Sequence, residues 1–152
     1  MTSDRIEKHV EIQAPVSRVW RALTDHEQFS QWFGVRLDSP FQEGQRTGGQ
    51  IAIAGYEHVR MEVVVQKITP ESYFSYQWHP AAIDNERDYS GEEMTLVEFF
   101  LDSYDGGTRL RVTESGFDAI PTARRDEAFR LNTGGWEGQL QNVKNYVDKQ
   151  SI

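Results

Sequence analysis

The chain of 152 residues contains no cysteine. That absence removes disulfide frameworks, thiolate zinc sites, cysteine nucleophiles and thiol redox switching together. Positive charge is also scarce: 16 lysines and arginines stand against 24 aspartates and glutamates, and the formal charge is -8. Such a balance does not suit a surface that must neutralise phosphates, so no nucleic-acid partner is expected. No uninterrupted apolar run approaches the ~18 residues of a membrane span, and the opening MTSDRIEKHVEIQ lacks the apolar h-region of a secretory leader. No membrane partner is expected, and the cytoplasm is the expected compartment. Missing too are a G-x-S-x-G elbow, a Walker motif and a G-x-G-x-x-G, while Gly48-Gly49 lacks the lysine and helix start of a phosphate loop. Nucleotide chemistry has no support, and no cofactor is implied.

What is present fits a single core. Hydrophobic residues make up 38% of the chain and aromatic ones 12%, and no repeat, low-complexity tract or linker divides it. Residues 1–152 are expected to form one domain. Ile6, Val10 and Ile12 alternate with Glu7, His9 and Glu11, the period of a half-buried strand, with Lys8 as the exception on the inner parity. After Pro15, Val16, Val19, Trp20 and Leu23 follow at helical spacing. Thr24 and Glu27 read as a capping box for a second short helix that carries Phe29, Trp32 and Phe33 and stops at Gly34. Two such helices could suggest DNA binding, but the second offers no arginine or lysine to a groove.

The period then becomes alternating. Val35 with Leu37, Gln50 to Ala54, Val59 to Ile68 and Tyr73 to His79 read as strands of an antiparallel meander, with Gly48-Gly49 among the punctuation. Pro80 to Glu93 is a long polar loop, a possible lid, and its acidic part from Asp84 reads as solvated. Thr95 to Leu101 and Thr108 to Glu114 form a hairpin through Asp105-Gly106-Gly107. Thr122 to Lys149 is a long helix whose stripe holds Phe129, Asn132, Trp136, Leu140, Val143 and Val147. Gly134-Gly135 inside it costs roughly 1 kcal/mol per glycine relative to alanine. Close approach to the sheet, a kink or open volume beside Trp136 would each account for them.

Three segments carry a family resemblance: IQAPVSRVWRALTDHEQFSQWFG, TLVEFFLDSYDGGTRLRVTESGF and GWEGQLQNVKNYV. With the order of elements, they resemble the family of the Hsp90-ATPase-activator C-terminal domain, within the START/Bet v 1-like (SRPBCC) superfamily. The resemblance implies an α+β helix-grip fold: a curved antiparallel sheet of about six to seven strands around a long C-terminal helix, with two short helices after the first strand. It further implies a cavity between sheet and helix for hydrophobic or aromatic molecules, in which some relatives cyclise or dehydrate polyketides. The eukaryotic activator domain instead stimulates Hsp90 together with a separate N-terminal domain, for which a helix-grip domain of this length leaves no room. A stress-related role and an Hsp90 homologue as partner are implied in the same way.

Among individual residues, Glu114 shares its strand face with Leu110 and Val112, so parity places a carboxylate at the end of an apolar row. Buried, it could serve as a general acid or hold a ligand hydroxyl; at the strand end, water would simply reach it. Phe74, Tyr76 and Trp78 share another parity, and Trp32, Phe129 and Trp136 look back at the sheet from helices. Such a set builds either a plain core or an aromatic wall for a flat ligand, with Tyr76, Asn132 and Glu114 as polar anchors. His58, His79 and Glu114 have neither HxH nor HExxH spacing, and no metal site is expected. Arg60 and Glu62 read as a solvated face. The leading expectation is a monomeric or homodimeric binder of a small apolar or aromatic molecule, without turnover. The alternative is a cyclase or dehydratase in which Glu114 abstracts a proton while Tyr76 or Asn132 polarises a carbonyl.

Overall fold

A computed structural model describes residues 5–84 and 86–150. The leader reading included residues 1–4, which lie outside that range, as does Asn85 of the polar loop. Strand β1 (Arg5–Ile12) buries Ile6 and Ile12, and its inner-parity exception Lys8 turns to Glu137 at 2.7 Å. Helices α1 (Val16–Thr24) and α2 (His26–Phe33) follow. The cap between them is one residue later than the expected box. Asp25 accepts the Glu27 N–H at 3.0 Å, while the Thr24 hydroxyl donates back to the Trp20 carbonyl. Gly34 closes α2 in the left-handed conformation.

Six strands come next: β2 (Val35–Leu37), β3 (Arg46–Ile51), β4 (Arg60–Thr69), β5 (Tyr73–Trp78), β6 (Thr95–Tyr104) and β7 (Gly107–Ser115). A single 3-10 turn, Phe117–Ala119, leads into helix α3 (Thr122–Gln150). All neighbours pair antiparallel, in the order β1-β7-β6-β5-β4-β3-β2, as one curved open sheet. The fold is the α+β helix-grip architecture, with seven strands. Among the described residues no helix is long and apolar enough to cross a membrane.

One strand differs from its expected place. β3 begins at Arg46 and contains Gly48 and Gly49, and the chain leaves the sheet after Ile51. The glycines are within the strand because its neighbours pass so close: a Cβ on Gly48 would collide with the Met61 carbonyl, and one on Gly49 with that of Arg36. The β6–β7 turn follows expectation. Asp105 and Gly106 both have positive φ, as a type I′ hairpin requires.

The core lies between the concave face of the sheet and the three helices. Val63 and Val65 of β4, Phe74 and Tyr76 of β5, Val97 and Phe99 of β6, and Leu110 and Val112 of β7 meet Val19, Leu23 and Phe29 from the short helices. From α3 come Ala128, Trp136, Leu140, Val143 and Val147. Alternation in the strands and three- and four-residue steps in α3 put these side chains on one surface, where burial of apolar area stabilises the fold.

Candidate functional site

Register brings the site together. Glu114 of β7 lies opposite Ile6 of β1 and Val97 of β6; Thr95, two residues before Val97, faces the same side and sits opposite Trp78 of β5. Asn132 and Trp136 approach from α3, one helical turn apart. All four converge on the carboxylate. Trp136 Nε1 donates to Oε1 at 2.8 Å and Trp78 Nε1 to Oε2 at 2.8 Å. Thr95 Oγ1 donates to Oε2 at 2.5 Å, and Asn132 Nδ2 reaches both oxygens at 2.9 and 3.1 Å.

Glu114 is fully buried, so the strand-end reading in which water reaches it does not hold. Its desolvation is offset by donors rather than by a cation. Two oxygens offer about four lone-pair directions, and these bonds occupy them. To act as a base, Glu114 would have to give up one of its present partners. Asn132 Nδ2 already donates to both carboxylate oxygens, which leaves only its second N–H for the carbonyl-polarising role considered for it. Tyr76, beneath Trp78 at 5.3 Å, has no hydrogen-bond partner for its buried hydroxyl. Burial, and then the nearby Glu114 charge, push that phenol well above its usual range.

A cavity of about 620 Å³ opens beside this cluster. Trp78, Trp136 and Asn132 line its inner part with Phe33, Met61 and Gly135, while Ile53, Tyr56 and Ile83 stand at its rim. Of the eight site residues expected from the sequence, Trp78, Asn132 and Trp136 therefore border the cavity, and Glu114 holds them from behind. The other four lie off its wall. Trp32 donates to the Ala22 carbonyl at 2.8 Å and packs on Phe29; Phe74 and Tyr76 pack in the core with Phe99; Phe129 packs on Phe117. A Cβ on Gly134 or Gly135 would meet nothing within 4 Å, so close approach is not their reason; Gly135 borders the open volume beside Trp136, whereas Gly134 does not line it.

His58 and His79 are held apart by their own bonds, to the carbonyls of Ile83 and Glu92 at 3.1 and 3.0 Å. Among the described residues no metal-binding cluster forms. Arg60 and Glu62 are exposed as expected, and Arg60 also pairs with Asp38 at 2.6 Å.

The polar loop differs most from its sequence reading. Its Glu92 is not solvated: it is largely buried against Arg124 of α3, whose Nε donates to Oε1 at 2.8 Å while Nη1 donates to the Pro80 carbonyl at 2.8 Å. Arg87 pairs with the other Glu92 oxygen at 2.9 Å, and the Arg87 and Arg124 guanidiniums lie 5.5 and 4.7 Å from the Tyr89 ring centroid. Burial pushes the Glu92 carboxyl up, but the hydrogen bonds and charges of Arg124 and Arg87 outweigh it and leave it below the usual range. The loop is thus strapped to the start of α3 and forms part of the cavity wall. The rim residues Ile53, Tyr56 and Ile83 were also missed. They sit in short apolar stretches, Ala52 to Tyr56 and Pro80 to Ile83, that carry no periodic pattern.

Solved structures share this fold. MLL2253 from Mesorhizobium loti matches with a TM-score of 0.76 at 22% identity, over 97% of this chain and 99% of that one. DynU16, from the dynemicin biosynthetic locus, matches with a TM-score of 0.72 at 22% identity over 97% of this chain, which spans about half of DynU16 (48%). CalU16 from Micromonospora echinospora gives 0.63 at 21% identity, over 97% of this chain and 78% of that one. No curated protein matches significantly. The family model described as Activator of Hsp90 ATPase homolog 1-like protein matches residues 13–148. Because that match runs from just after β1 to two residues short of the end of α3, the chain belongs to the Activator of Hsp90 ATPase homolog 1-like family.

Proposed function

We propose that this protein binds a small apolar or aromatic molecule in the cavity between the sheet and α3. The observation that carries this reading is where the exposed apolar side chains lie. Among the described residues four large hydrophobic side chains are exposed, and three of them, Ile53, Tyr56 and Ile83, ring the cavity. Exposed apolar surface concentrated around a concavity is the signature of a binding mouth. Behind it stand two indoles already locked in place, so little side-chain entropy is lost when a flat ligand arrives. The volume of about 620 Å³ suits a ligand of a few fused rings.

The test is a thermal-shift and tryptophan-fluorescence screen with aromatic and fatty molecules. A ligand at 100 times its Kd should add about 2.7 kcal/mol of stability. If no compound raises the Tm and none changes the emission of Trp78 and Trp136, the reading fails. The Hsp90 relation carried by the family description is tested separately, by adding the protein to an Hsp90 homologue and measuring ATP turnover. No stimulation at several-fold molar excess would end it.

A further inference from the structure

We propose that the ligand is an aromatic molecule that presents a hydrogen-bond donor, a hydroxyl or N–H, to the side-chain carbonyl oxygen of Asn132, and that it is not an anion. This rests on the binding role proposed for the cavity. A carboxylate can only accept from an amide, so the two bonds from Asn132 Nδ2 to Glu114 fix which way the amide faces. Oδ1 then points away from the carboxylate, on a residue that borders the cavity. Among the described residues no donor reaches it.

The neighbouring polar groups are already committed. Both indole N–H groups donate to Glu114, so Trp78 and Trp136 offer the cavity ring surface alone. Gln139, the next polar side chain of α3 on the wall, donates to the Phe33 carbonyl and accepts from Asn142, each at 3.0 Å. Beside its aromatic surface the inner wall therefore presents the open Oδ1 acceptor of Asn132. A ligand without a donor would bury that carbonyl unpaired, which is costly.

Charge narrows the class further. Glu114 lies directly behind the aromatic wall and repels a second negative charge brought into this low-dielectric space. The arginines bordering the cavity offer no compensation. Arg46 pairs with Glu62, Arg60 with Asp38 and Glu62, and Arg87 with Glu92.

Three probes of one ring system test this by titration of tryptophan fluorescence: naphthol, its methyl ether and the corresponding naphthoate. Naphthol should bind about fivefold or more tighter than the ether, the range one satisfied hydrogen bond provides. The naphthoate should bind weakest. In Asn132→Leu the preference for naphthol over the ether should vanish while the ether still binds. Equal affinities of naphthol and ether for the unaltered protein, or tightest binding by the naphthoate, would overturn the inference and leave aromatic binding intact. Failure of all three probes to bind would also overturn this inference, while the binding role falls only if the wider aromatic and fatty screen finds no ligand either. If Asn132→Leu does not fold, the ranking by the unaltered protein decides alone.

Discussion

Trp78 and Trp136 stack with ring centroids 5.7 Å apart and planes 27° from parallel, although one hangs from β5 and the other from α3. Their common partner explains the arrangement: each indole N–H donates to a different oxygen of Glu114. In Glu114→Gln one acceptor becomes a donor facing other donors, so at least one of Trp78, Thr95, Asn132 and Trp136 loses its bond in the interior. The expected cost is about 2–4 kcal/mol in urea melts, with red-shifted tryptophan emission. A change below ~1 kcal/mol would show that the donors find other partners.

Tyr76 behaves oppositely. Its hydroxyl is buried without a partner, so Tyr76→Phe removes a polar group that contributes no bond. Stability should stay within ~0.5 kcal/mol or rise by as much as ~1 kcal/mol. A loss above ~1 kcal/mol would place a hidden water on that oxygen.

Gly135 separates packing from function. A methyl group there has open space, and alanine favours helix by about 1 kcal/mol, so Gly135→Ala should raise stability by roughly that amount. Gly135→Phe projects a ring toward the cavity and should abolish probe binding while the protein stays folded. Undiminished binding by a folded Gly135→Phe protein would show that the ligand lies elsewhere.

Acid should loosen the strap. Because the Glu92 carboxyl titrates below its unfolded value, its contribution is full above about pH 4.3 and is lost as pH falls through the lower folded value. Hydrogen-exchange protection in residues 80–84 and 86–93, taken relative to the intrinsic rate at each pH, should therefore fall on acidification below that point, and Glu92→Gln should show low protection at neutral pH as well. Equal protection of the two proteins at pH 7 would show that the ion pair does not hold the loop.

The elements were legible because each is periodic over its own residues. Alternation marked the strands, and parity alone turned Glu114 inward with Leu110 and Val112. What alternation lacks is register. That Thr95 and Trp78 would meet Glu114 depends on how β5, β6 and β7 slide against one another. Of the aromatics expected on the wall, Trp32, Phe74 and Tyr76 lie in the core and Phe129 packs half-buried against it, because a stripe shows which side chains face inward, not which of them face empty space. Gly48-Gly49 looked like a turn because the sequence shows a glycine's freedom but not the carbonyls of Arg36 and Met61 that make it necessary. The pairing of Glu92 with Arg124 joins two segments that carry no common pattern.

The place of β1 has a consequence for how the chain is made. The first strand has no partner until β7, about a hundred residues later, and then pairs from Arg5 with Ser115 to Ile12 with Thr108. The hairpins from β3 to β7 can form in order of synthesis, but their inner face waits for α3, the last helix to emerge. A ribosome-bound intermediate therefore carries a bare aromatic surface of Phe74, Tyr76 and Phe99 with an unpaired edge beside it, and long-range closure is slow. Risk of aggregation is concentrated in that interval of translation, before α3 arrives to cover the sheet.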